Sequence, residues 1–409
     1  MAQLGSALRS GRRGRRFESC HPDHFIKEKD KIMLNINEIR ENFPVTKNLI
    51  YFDHAAVSPL HKGSKTALEE YTEHFLNLGI RNYEYWYNKS EKIRENFAKF
   101  ISADKSEIAF IKSTSAGLSI LANGINFQEG DNIIIPDIEF PANVYPWLNL
   151  EKKGVNVKFL NCEQGIIDLN KLESLIDEKT RVVSVSWVQF SNGYKTDLAK
   201  ISEICRCKSN IYGRKIYFCV DAIQALGALE LNVSKTDIDF FAADGHKWFL
   251  SAEGAGFLYC NKNILDEIQP ATVGWRSVAN PLDFTNINFD LEKSAKKFEE
   301  GSINLAGILT LGASLELFNK YGINNIENRI LKLSKYACKL LEEKNIELIT
   351  INKDFCRSGI VSFKTNNVDA DFEKLLKQNI QLSKRGNFLR ISPHFYNTEQ
   401  EIEYFVYNL

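Results

Sequence analysis

The sequence predicts an α/β fold in which a large domain with a mostly parallel sheet is followed by a smaller α+β C-terminal domain. From Met33 onward, short runs rich in Val, Ile and Phe alternate with longer segments of helical period, as in βα units. After about Trp275 this alternation stops, and two consecutive helical stretches precede short strands. A chain of 409 residues is also longer than one hydrophobic core usually serves.

The individual elements follow from these periodicities. In the large domain we expect strands at 108–112, 132–135, 155–160, 181–188, 215–220 and 239–243, with helices between most of them. Right-handed crossovers then place helices on both faces, and a ligand is expected at the carboxyl ends of the strands. In the small domain we expect helices at 305–321, 325–344 and 369–378, and strands at 347–350, 359–364, 381–383 and 388–392.

Residues 1–32 are expected to stand apart from this fold. Residues 1–16 hold five arginines and no acid, a composition found in transit peptides, although the glycines break the apolar face of a targeting helix. A disordered tail or a start codon assigned too far upstream is preferred, because residues 15–23 read like one frame of a transfer-RNA gene and Met33 is the only later methionine. The predicted boundaries are then 33–60 for an N-terminal segment, 61–275 for the large domain and 276–409 for the small domain.

The composition excludes several classes of function. The 52 Lys+Arg balance 52 Asp+Glu, so the chain lacks the basic excess that a nucleic-acid partner requires. No apolar run is long enough for a membrane span. The eight cysteines lack zinc spacing and are expected to be reduced thiols of a cytoplasmic protein. No metal site is therefore expected.

Two polar residues follow predicted strands in a way that indicates a catalytic site. Lys247 lies in a glycine-containing loop after strand 239–243, and Asp221 ends an apolar strand that would bury its carboxylate. A buried carboxylate needs a cationic or hydrogen-bonding partner. Pyridoxal phosphate uses both groups, because a lysine forms its Schiff base and an acid keeps its pyridine nitrogen protonated. A lone loop lysine is usually only a solvated side chain, so the interpretation depends on the pair.

The segment after strand 108–112 can supply a phosphate site. It passes through small and hydroxyl-bearing residues directly into an amphipathic helix. Backbone N–H groups at that helix start would face an anion, with hydroxyls added by Thr114 and Ser115. The alternative is an ordinary Ser/Thr helix cap. Beside Asp221 and Lys247, the segment favours a phosphate cradle.

Eight short segments, taken in chain order, carry a wider pattern. They are 51–56 (YFDHAA), 110–122 (FIKSTSAGLSILA), 139–147 (EFPANVYPW), 190–193 (FSNG), 220–225 (VDAIQA), 245–247 (GHK), 298–302 (FEEGS) and 389–392 (LRIS). In this order they resemble the class V aminotransferases of the aspartate-aminotransferase fold (pyridoxal-phosphate fold type I). That family includes cysteine desulfurases, selenocysteine lyases and isopenicillin-N-epimerase-like proteins. The resemblance spans residues 49–409 and is nearest to the epimerase-like and aminotransferase members.

The resemblance implies a role for each matching residue. Lys247 would form the Schiff base and then move the α-proton, and Asp221 would pair with the pyridinium. Arg390 would bind the substrate α-carboxylate through its planar fork, which a lysine cannot reproduce. The other implied cofactor ligands are Asn192 and Gln224 at the ring hydroxyl, His246, Thr114, Ser115 and Ala116 at the phosphate, and Ser302, which would reach the phosphate from the second subunit of a homodimer.

Two further residues are candidates for the substrate site. Arg385 lies close to Arg390, in a stretch where the alignment with the family is ambiguous. His54 stands at or near the family's asparagine in the opening motif and could line the substrate mouth or satisfy a turn.

The chain departs from the cysteine desulfurase branch at two places. The ring-stacking histidine of that branch is replaced by Pro141, so contact with the cofactor face is expected from Phe140. The nucleophilic cysteine of a mobile loop is also missing, because residues 381–390 contain no cysteine and that loop is too short to carry one. Cys356 precedes a different strand and is interpreted as structural. A persulfide-forming desulfurase is therefore disfavoured.

These observations predict a pyridoxal-phosphate-dependent, class V aminotransferase-like enzyme that acts on an α-amino acid through Lys247. The alternatives are a cysteine desulfurase-like or C–S lyase activity without a loop cysteine, and an epimerase. A binding protein on a retired enzyme scaffold is disfavoured because Lys247 and Asp221 are both present. The predicted partners are a small-molecule substrate and a second copy of the chain, with the active site at their interface.

Overall fold

The computed structural model describes residues 34–409. Residues 1–32, predicted as a disordered tail or an upstream start, lie outside the described residues. Residues 34–409 pack as one unit, and the predicted border between domains 61–275 and 276–409 stays a prediction.

The described elements follow one another in an α/β order. The α-helices are α1 (Ile36–Glu41), α2 (Lys62–Leu78), α3 (Tyr83–Phe100), α4 (Thr114–Gly124), α5 (Tyr145–Leu148), α6 (Leu169–Leu175), α7 (Leu198–Tyr212), α8 (Val233–Thr236), α9 (Leu305–Tyr321), α10 (Ile323–Glu343), α11 (Val368–Lys377) and α12 (Glu399–Tyr407). The strands are β1 (Ile50–Tyr51), β2 (Ile108–Ile111), β3 (Asn132–Pro136), β4 (Asn156–Leu160), β5 (Thr180–Ser186), β6 (Tyr217–Asp221), β7 (Phe240–Asp244), β8 (Gly256–Cys260), β9 (Val361–Phe363), β10 (Ile380–Gln381), β11 (Ser383–Arg385) and β12 (Phe388–Ile391). In this part of the chain, no helix combines the length and apolar character that crossing a membrane requires.

Seven strands form the central sheet, in the order β2-β8-β7-β6-β5-β3-β4. Strand β8 is antiparallel to both of its neighbours, and the remaining pairs are parallel. The mostly parallel sheet predicted from the sequence is therefore confirmed.

The strands of this sheet are buried on both faces, which explains their continuous apolar runs. Along β5, Val183 and Val185 pack into one hydrophobic cluster and Val182 packs into the other. Strand β6 alternates in the same way, with Phe218 in the first cluster and Cys219 in the second. Residues of α3, α7 and α9 complete the first cluster and residues of α4 the second.

Several elements differ from the sequence prediction; the predicted strand 381–383, for example, falls on β10 and β11, which pair with different strands. The predicted strand 347–350 forms only an isolated bridge, between Leu348 and Phe363. Strand β8 was not predicted, because its five residues directly follow the Lys247 loop and contain a glycine. It pairs antiparallel with β7 without an intervening helix, so it lacks the alternating rhythm that reveals a parallel strand.

The N-terminal segment pairs with the C-terminal part of the chain. Strand β1 runs parallel to β10, and Asp53 forms a bridge with Ser392 just after β12. Strands β11, β12 and β9 form a three-stranded antiparallel sheet in which Arg390 is the cross-strand partner of both Ser383 and Ser362. These pairings place Asp53 beside Arg390.

Candidate active site

The carboxyl ends of three adjacent parallel strands meet at one edge of the central sheet. Ser186 at the end of β5 is in register with Asp221 at the end of β6, and Asp221 is in register with Ala242 of β7. The next residues after β7 lead into the loop that carries Lys247. This edge is where open α/β sheets bind ligands, so the topology brings the two principal sequence candidates to one site.

Lys247 presents an amine with no partner. Within residues 34–409, its Nζ makes no hydrogen bond or ion pair, and the nearest described aromatic contact is the Phe140 ring, whose centroid lies 5.6 Å away. Burial lowers the pKa of this amine to about 8; Asp221 opposes that shift, and the positive charges of Arg390 and Arg385 add to it. Lys247 therefore holds a reactive, uncharged amine at a lower pH than an ordinary lysine.

Asp221 is a buried carboxylate with little local compensation. The Ile223 N–H donates to its Oδ1 at 3.0 Å, and this is its one side-chain hydrogen bond among the described residues. Burial raises the pKa of Asp221, and the negative charge of Glu139 raises it further, while Lys247 opposes the shift. A protonated pyridine nitrogen would give this carboxylate the cationic partner it lacks, so Asp221 and Lys247 together fit pyridoxal phosphate.

Glu139 is a residue of the site that sequence reasoning missed. Its carboxylate accepts hydrogen bonds from the Ser186 N–H at 2.7 Å, from the Ser186 hydroxyl, from Asn143 Nδ2 at 3.0 Å and from Gln189 Nε2 at 2.7 Å. Burial raises its pKa, and these donors oppose the rise. An acid three residues after a buried strand, at the start of the 139–147 segment, was the available signal.

The start of α4 carries the residues predicted to bind the cofactor phosphate, and this assignment stays a prediction. Ser113 caps the helix, with its Oγ accepting from the Ala116 N–H at 3.1 Å, and helix starts leave their first N–H groups free for an anion. Thr114 Oγ1 accepts from the Asp244 N–H at 3.0 Å, which fixes the helix start to the end of β7. A Cβ on Gly117 would lie 2.5 Å from Ala242 Cβ, so only glycine permits this close packing. Ser115 is exposed at the helix start.

His246 and Ser302 are the other two residues predicted at the phosphate. His246 is partly buried, with Nδ1 at 3.1 Å from Asp244 Oδ1, and its carbonyl accepts from the Ser58 N–H at 2.7 Å. Ser302 and Ala116 line the same cavity of about 400 Å³. Their assignment to the phosphate stays a prediction.

The two amides predicted at the cofactor ring are both engaged with protein groups. Asn192 Nδ2 donates to Gly165 O at 3.0 Å and its Oδ1 accepts from the Tyr194 N–H at 2.9 Å. Gln224 Nε2 donates to Ala55 O at 2.9 Å, and its Oε1 accepts from Trp248 Nε1 at 3.0 Å. Gln224 thus joins the opening motif to the residue after Lys247. The role of both amides as ring-hydroxyl ligands stays a prediction.

Phe140 lies on the open side of the site. The residue is 40% exposed, and its ring packs edge-on against Phe190, with 5.1 Å between the ring centroids. Together with its distance from Lys247, this position agrees with the predicted aromatic contact to the cofactor. Pro141 follows it in a short 3-10 helix, Pro141–Asn143.

Arg390 is fully buried and only partly paired. Its Nη1 donates to Phe190 O at 2.8 Å and its Nη2 to Ser383 Oγ at 3.3 Å. Asp53 Oδ1 lies 3.7 Å from Nη2, and the Nε has no partner among the described residues. Burial lowers the pKa of Arg390 to about 10 and the charge of Arg385 lowers it further, with Asp53 opposing. The guanidinium is still charged at neutral pH.

Arg385 adds a second positive charge that reaches both Arg390 and Lys247. Its Nε is buried and has no hydrogen-bond partner among residues 34–409. Two guanidinium groups therefore face this side of the site, and Asp53 is the carboxylate nearest to Arg390. This surplus of positive charge favours an anionic group on the substrate, such as an α-carboxylate.

His54 lies in the interior instead of at an open mouth. Its Nδ1 is 2.8 Å from Ser392 O and its Nε2 is 2.8 Å from the Tyr396 hydroxyl. Burial lowers its pKa to about 3, so the ring is neutral. Both ring nitrogens are thus used by the protein, and the assignment of His54 to the substrate site stays a prediction.

No thiol accompanies these groups in the described part of the chain. Of the seven cysteines described, only Cys207 is exposed, and it lies on α7. Strands β11 and β12 are joined by Gly386 and Asn387 alone, so this hairpin has no length for a mobile cysteine. Residues 34–409 also contain no group of His, Cys, Asp and Glu that could hold a metal ion.

The chain is similar to known proteins over nearly all of its described length. The family model described as "Aminotransferase class-V" matches residues 50–405. The chain belongs to this family. The predicted aspartate-aminotransferase-like fold is thereby confirmed, and pyridoxal 5′-phosphate is the cofactor of this class V protein.

Individual relatives of this class V protein carry different names. A probable cysteine desulfurase of Methanothermobacter thermautotrophicus is 32% identical over 402 residues, covering 91% of this chain and 96% of the relative. The uncharacterized aminotransferase YcbU of Bacillus subtilis is 25% identical, covering 90% and 95%. A solved structure of C-DES, with glycine covalently linked to its PLP cofactor, has the same fold, with a TM-score of 0.84, 24% identity and coverage of 90% and 98%.

Cofactor attachment is expected to occur at a lower pH than it would at an ordinary lysine. Burial lowers the pKa of the Lys247 amine from 10.5 to about 8, and only the uncharged amine attacks an aldehyde. Below this pKa the amine is protonated, so the attachment rate of the apoprotein should rise between pH 7 and pH 9 and then level off. Near-visible absorbance after adding pyridoxal phosphate measures this rate. A rate that still rises through pH 10 would contradict the lowered pKa.

Proposed function

We propose that this class V protein cleaves a C–S bond in a sulfur-containing α-amino acid and releases the sulfur without transferring it to a cysteine of its own. The proposal combines two observations. The chain is 32% identical, over nearly its whole length, to a relative named as a probable cysteine desulfurase. The described residues around Lys247, however, provide no mobile thiol, because the β11–β12 hairpin is too short and contains no cysteine.

The absence of a mobile thiol among the described residues of the site supports one of two ways of removing sulfur. A desulfurase that stores sulfur needs a thiolate within reach of the substrate. Burial raises the pKa of Cys162 to about 12, and it also raises the pKa of Cys356, so neither supplies a thiolate at neutral pH. The balanced alternative is a β-elimination. The Cα–H and Cβ–S bonds break, the sulfur leaves with the bonding electrons as a thiol or persulfide, and water converts the rest to a keto acid and ammonia.

Each residue of the site has a separate role in the proposed β-elimination. When bound, pyridoxal phosphate withdraws electrons from the substrate Cα. Lys247 Nζ would be the base for the α-proton, and its lowered pKa suits that task. Asp221 holds a proton at the pyridine nitrogen. Arg390, assisted by the charge of Arg385, binds the α-carboxylate, and the Phe140 ring is the aromatic group nearest to the Lys247 amine.

Transamination is the second candidate. The relative YcbU, named as an uncharacterized aminotransferase, is 25% identical over 90% of this chain, and transamination needs no enzyme thiol. The same groups around Lys247 support it, because proton movement at the substrate Cα is common to both reactions. The two reactions differ in whether the cofactor is returned in its original form.

Incubation of the cofactor-loaded protein with cysteine, cystine and a panel of other amino acids tests the proposal. We expect keto acid, ammonia and the sulfur leaving group in equal amounts, the last being sulfide from cysteine and a persulfide from cystine, with the near-visible spectrum restored at the end. Stable conversion of the spectrum to the pyridoxamine form would favour transamination instead. Formation of alanine together with a persulfide on the protein, detected by intact mass after alkylation, would contradict the absence of an enzyme thiol.

We also propose that the enzyme acts as a homodimer in the cytoplasm. Two groups of large apolar side chains are exposed, one where α2 meets α3 and the other in the 273–290 loop, as expected for faces covered by a second copy; they include Leu76, Ile80, Leu282, Phe284 and Ile287. The seven cysteines within residues 34–409 are unpaired, which agrees with a reducing compartment. Sedimentation of the full chain at the mass of one copy would contradict the dimer, and recovery of the protein outside the cytoplasmic fraction would contradict the compartment.

A further inference from the structure

The turn from Phe190 to Gly193 is held by side chains from a distant part of the sequence. Each of its four consecutive carbonyl oxygens accepts a hydrogen bond from a different side chain. The pairs are Arg390 Nη1 with Phe190 O (2.8 Å), Ser362 Oγ with Ser191 O (2.5 Å), Thr350 Oγ1 with Asn192 O (2.8 Å) and Ser358 Oγ with Gly193 O (2.7 Å). We call this set of four contacts the carbonyl ladder.

The ladder is unusual because buried carbonyl groups are mostly paired with other backbone groups. All four donor residues are buried, and each lies more than 150 positions from its acceptor. Arg390 and Ser362 are direct cross-strand partners, so the first two donors stand side by side. Gly193 has a φ of 74°, and a Cβ there would lie 2.6 Å from Ile360 O, so the turn is docked closely on the C-terminal sheet.

The turn also reaches the other side of the active site. The Phe190 ring packs against Phe140, which lies beneath the Lys247 amine. Asn192, the predicted ring-hydroxyl ligand, is the third residue of the turn. The first donor of the ladder, Arg390, is the proposed carboxylate ligand. The turn therefore connects the carboxylate side of the site to the cofactor side.

We propose that Thr350, Ser358 and Ser362 are positioning residues that hold the Phe190–Gly193 turn in place. When substrate binds Arg390, the turn then keeps Phe190 and Asn192 in the position that orients the cofactor. The inference rests on the proposed function only in that Arg390 binds a substrate carboxylate. The three hydroxyl groups are not catalytic residues, because they contact backbone and not reacting atoms. Their effect is expected on the orientation of the cofactor and on kcat, with little effect on KM.

Ser362→Ala is the sharpest test, because within residues 34–409 the Ser362 hydroxyl makes a single hydrogen bond, to Ser191 O. Ser334→Ala is the matched control: Ser334 is equally buried and its Oγ donates to Leu331 O at 3.1 Å, outside the ladder. In the apoprotein, Ser362→Ala should raise hydrogen–deuterium exchange in a peptide covering residues 188–195 by about 2- to 10-fold. Ser334→Ala should leave that peptide unchanged. Ser358→Ala should also raise hydrogen–deuterium exchange in this peptide, and it is the replacement test if Ser362→Ala folds poorly.

The loaded enzyme supplies the second readout. Ser362→Ala should shift the near-visible absorption of bound pyridoxal phosphate and lower kcat for the active amino acid by about 2- to 10-fold, and Ser362→Thr should restore both. Equal exchange in the two alanine variants would overturn the ladder. Raised exchange with an unchanged spectrum and kcat would overturn the positioning role. If the wild-type protein binds no cofactor, the proposed function fails, but the exchange comparison still decides whether the ladder holds the turn.

Discussion

Lys247→Ala is expected to abolish covalent attachment of pyridoxal phosphate and, with it, essentially all turnover. Lys247 holds an amine without a partner and with a pKa lowered to about 8 by burial. Its Nζ makes no described hydrogen bond, so removing it leaves no buried group unsatisfied and should not unfold the protein. Near-visible absorbance, combined with borohydride reduction and intact mass, measures attachment, and circular dichroism measures folding.

Lys297→Met is the matched control for this variant. Lys297 is also buried, and burial lowers its pKa as well, but its Nζ donates to Leu265 O away from the sheet edge that carries Asp221. We expect this variant to bind and attach the cofactor as the wild-type protein does. If attachment survived in Lys247→Ala and disappeared in Lys297→Met, the reactive amine would be that of Lys297, and the assignment of Lys247 would be wrong.

Arg390→Lys is expected to lower kcat/KM for the amino-acid substrate by roughly 10- to 100-fold, mostly through KM. A lysine keeps a positive charge at this buried position but loses the planar fork that forms two parallel hydrogen bonds to a carboxylate. It also loses the Nη1 contact to Phe190 O. Steady-state kinetics over a range of substrate concentrations measures the two effects separately.

Arg385→Lys serves as the comparison, because Arg385 is the other guanidinium whose charge reaches Lys247. If Arg390 is the carboxylate ligand, Arg385→Lys should lower kcat/KM clearly less than Arg390→Lys does. The reverse order, with Arg385→Lys the more damaged variant, would exchange the roles of the two arginines. A thermal melt of both variants shows whether any loss comes from instability.

The main groups of the site were predictable because they lie at the ends of buried strands. Parallel strands that are covered on both faces produce continuous apolar runs in the sequence, so the position of Asp221 after such a run, and of Lys247 after another, was visible. Adjacent parallel strands end at the same edge of the sheet. The sequence does not show which strands are neighbours. The structure places β6 beside β7, and this pairing brings Asp221 close to the Lys247 loop.

Other parts of the site depend on contacts that no local pattern reveals. The pairing of β1 with β10 joins residues more than 300 positions apart and brings Asp53 to Arg390. His54 belongs to a recognisable motif, but its burial against Tyr396 comes from the same long-range pairing. Glu139 could have been noticed as an acid after an apolar strand, whereas its four donors, one of them on Asn143 and another on Gln189, could not.

The donors of the carbonyl ladder could not be predicted from the sequence either. Thr350, Ser358 and Ser362 are small hydroxyl residues without any motif, in a region where the sequence predicted two ordinary strands. Their hydroxyls share a role only because the Phe190–Gly193 turn packs beside β9, where all three donate hydrogen bonds to its carbonyl groups. Residues that position a site through backbone contacts leave little trace in a single sequence.

The most direct test of the account is to locate the cofactor on the chain. We would load the full-length protein with pyridoxal phosphate, reduce it with borohydride, digest it and sequence the modified peptide by mass spectrometry. The account predicts one pyridoxyl group, carried by Lys247. A group found on another lysine, such as Lys297, or no stable modification in a folded and cofactor-saturated sample, would contradict it.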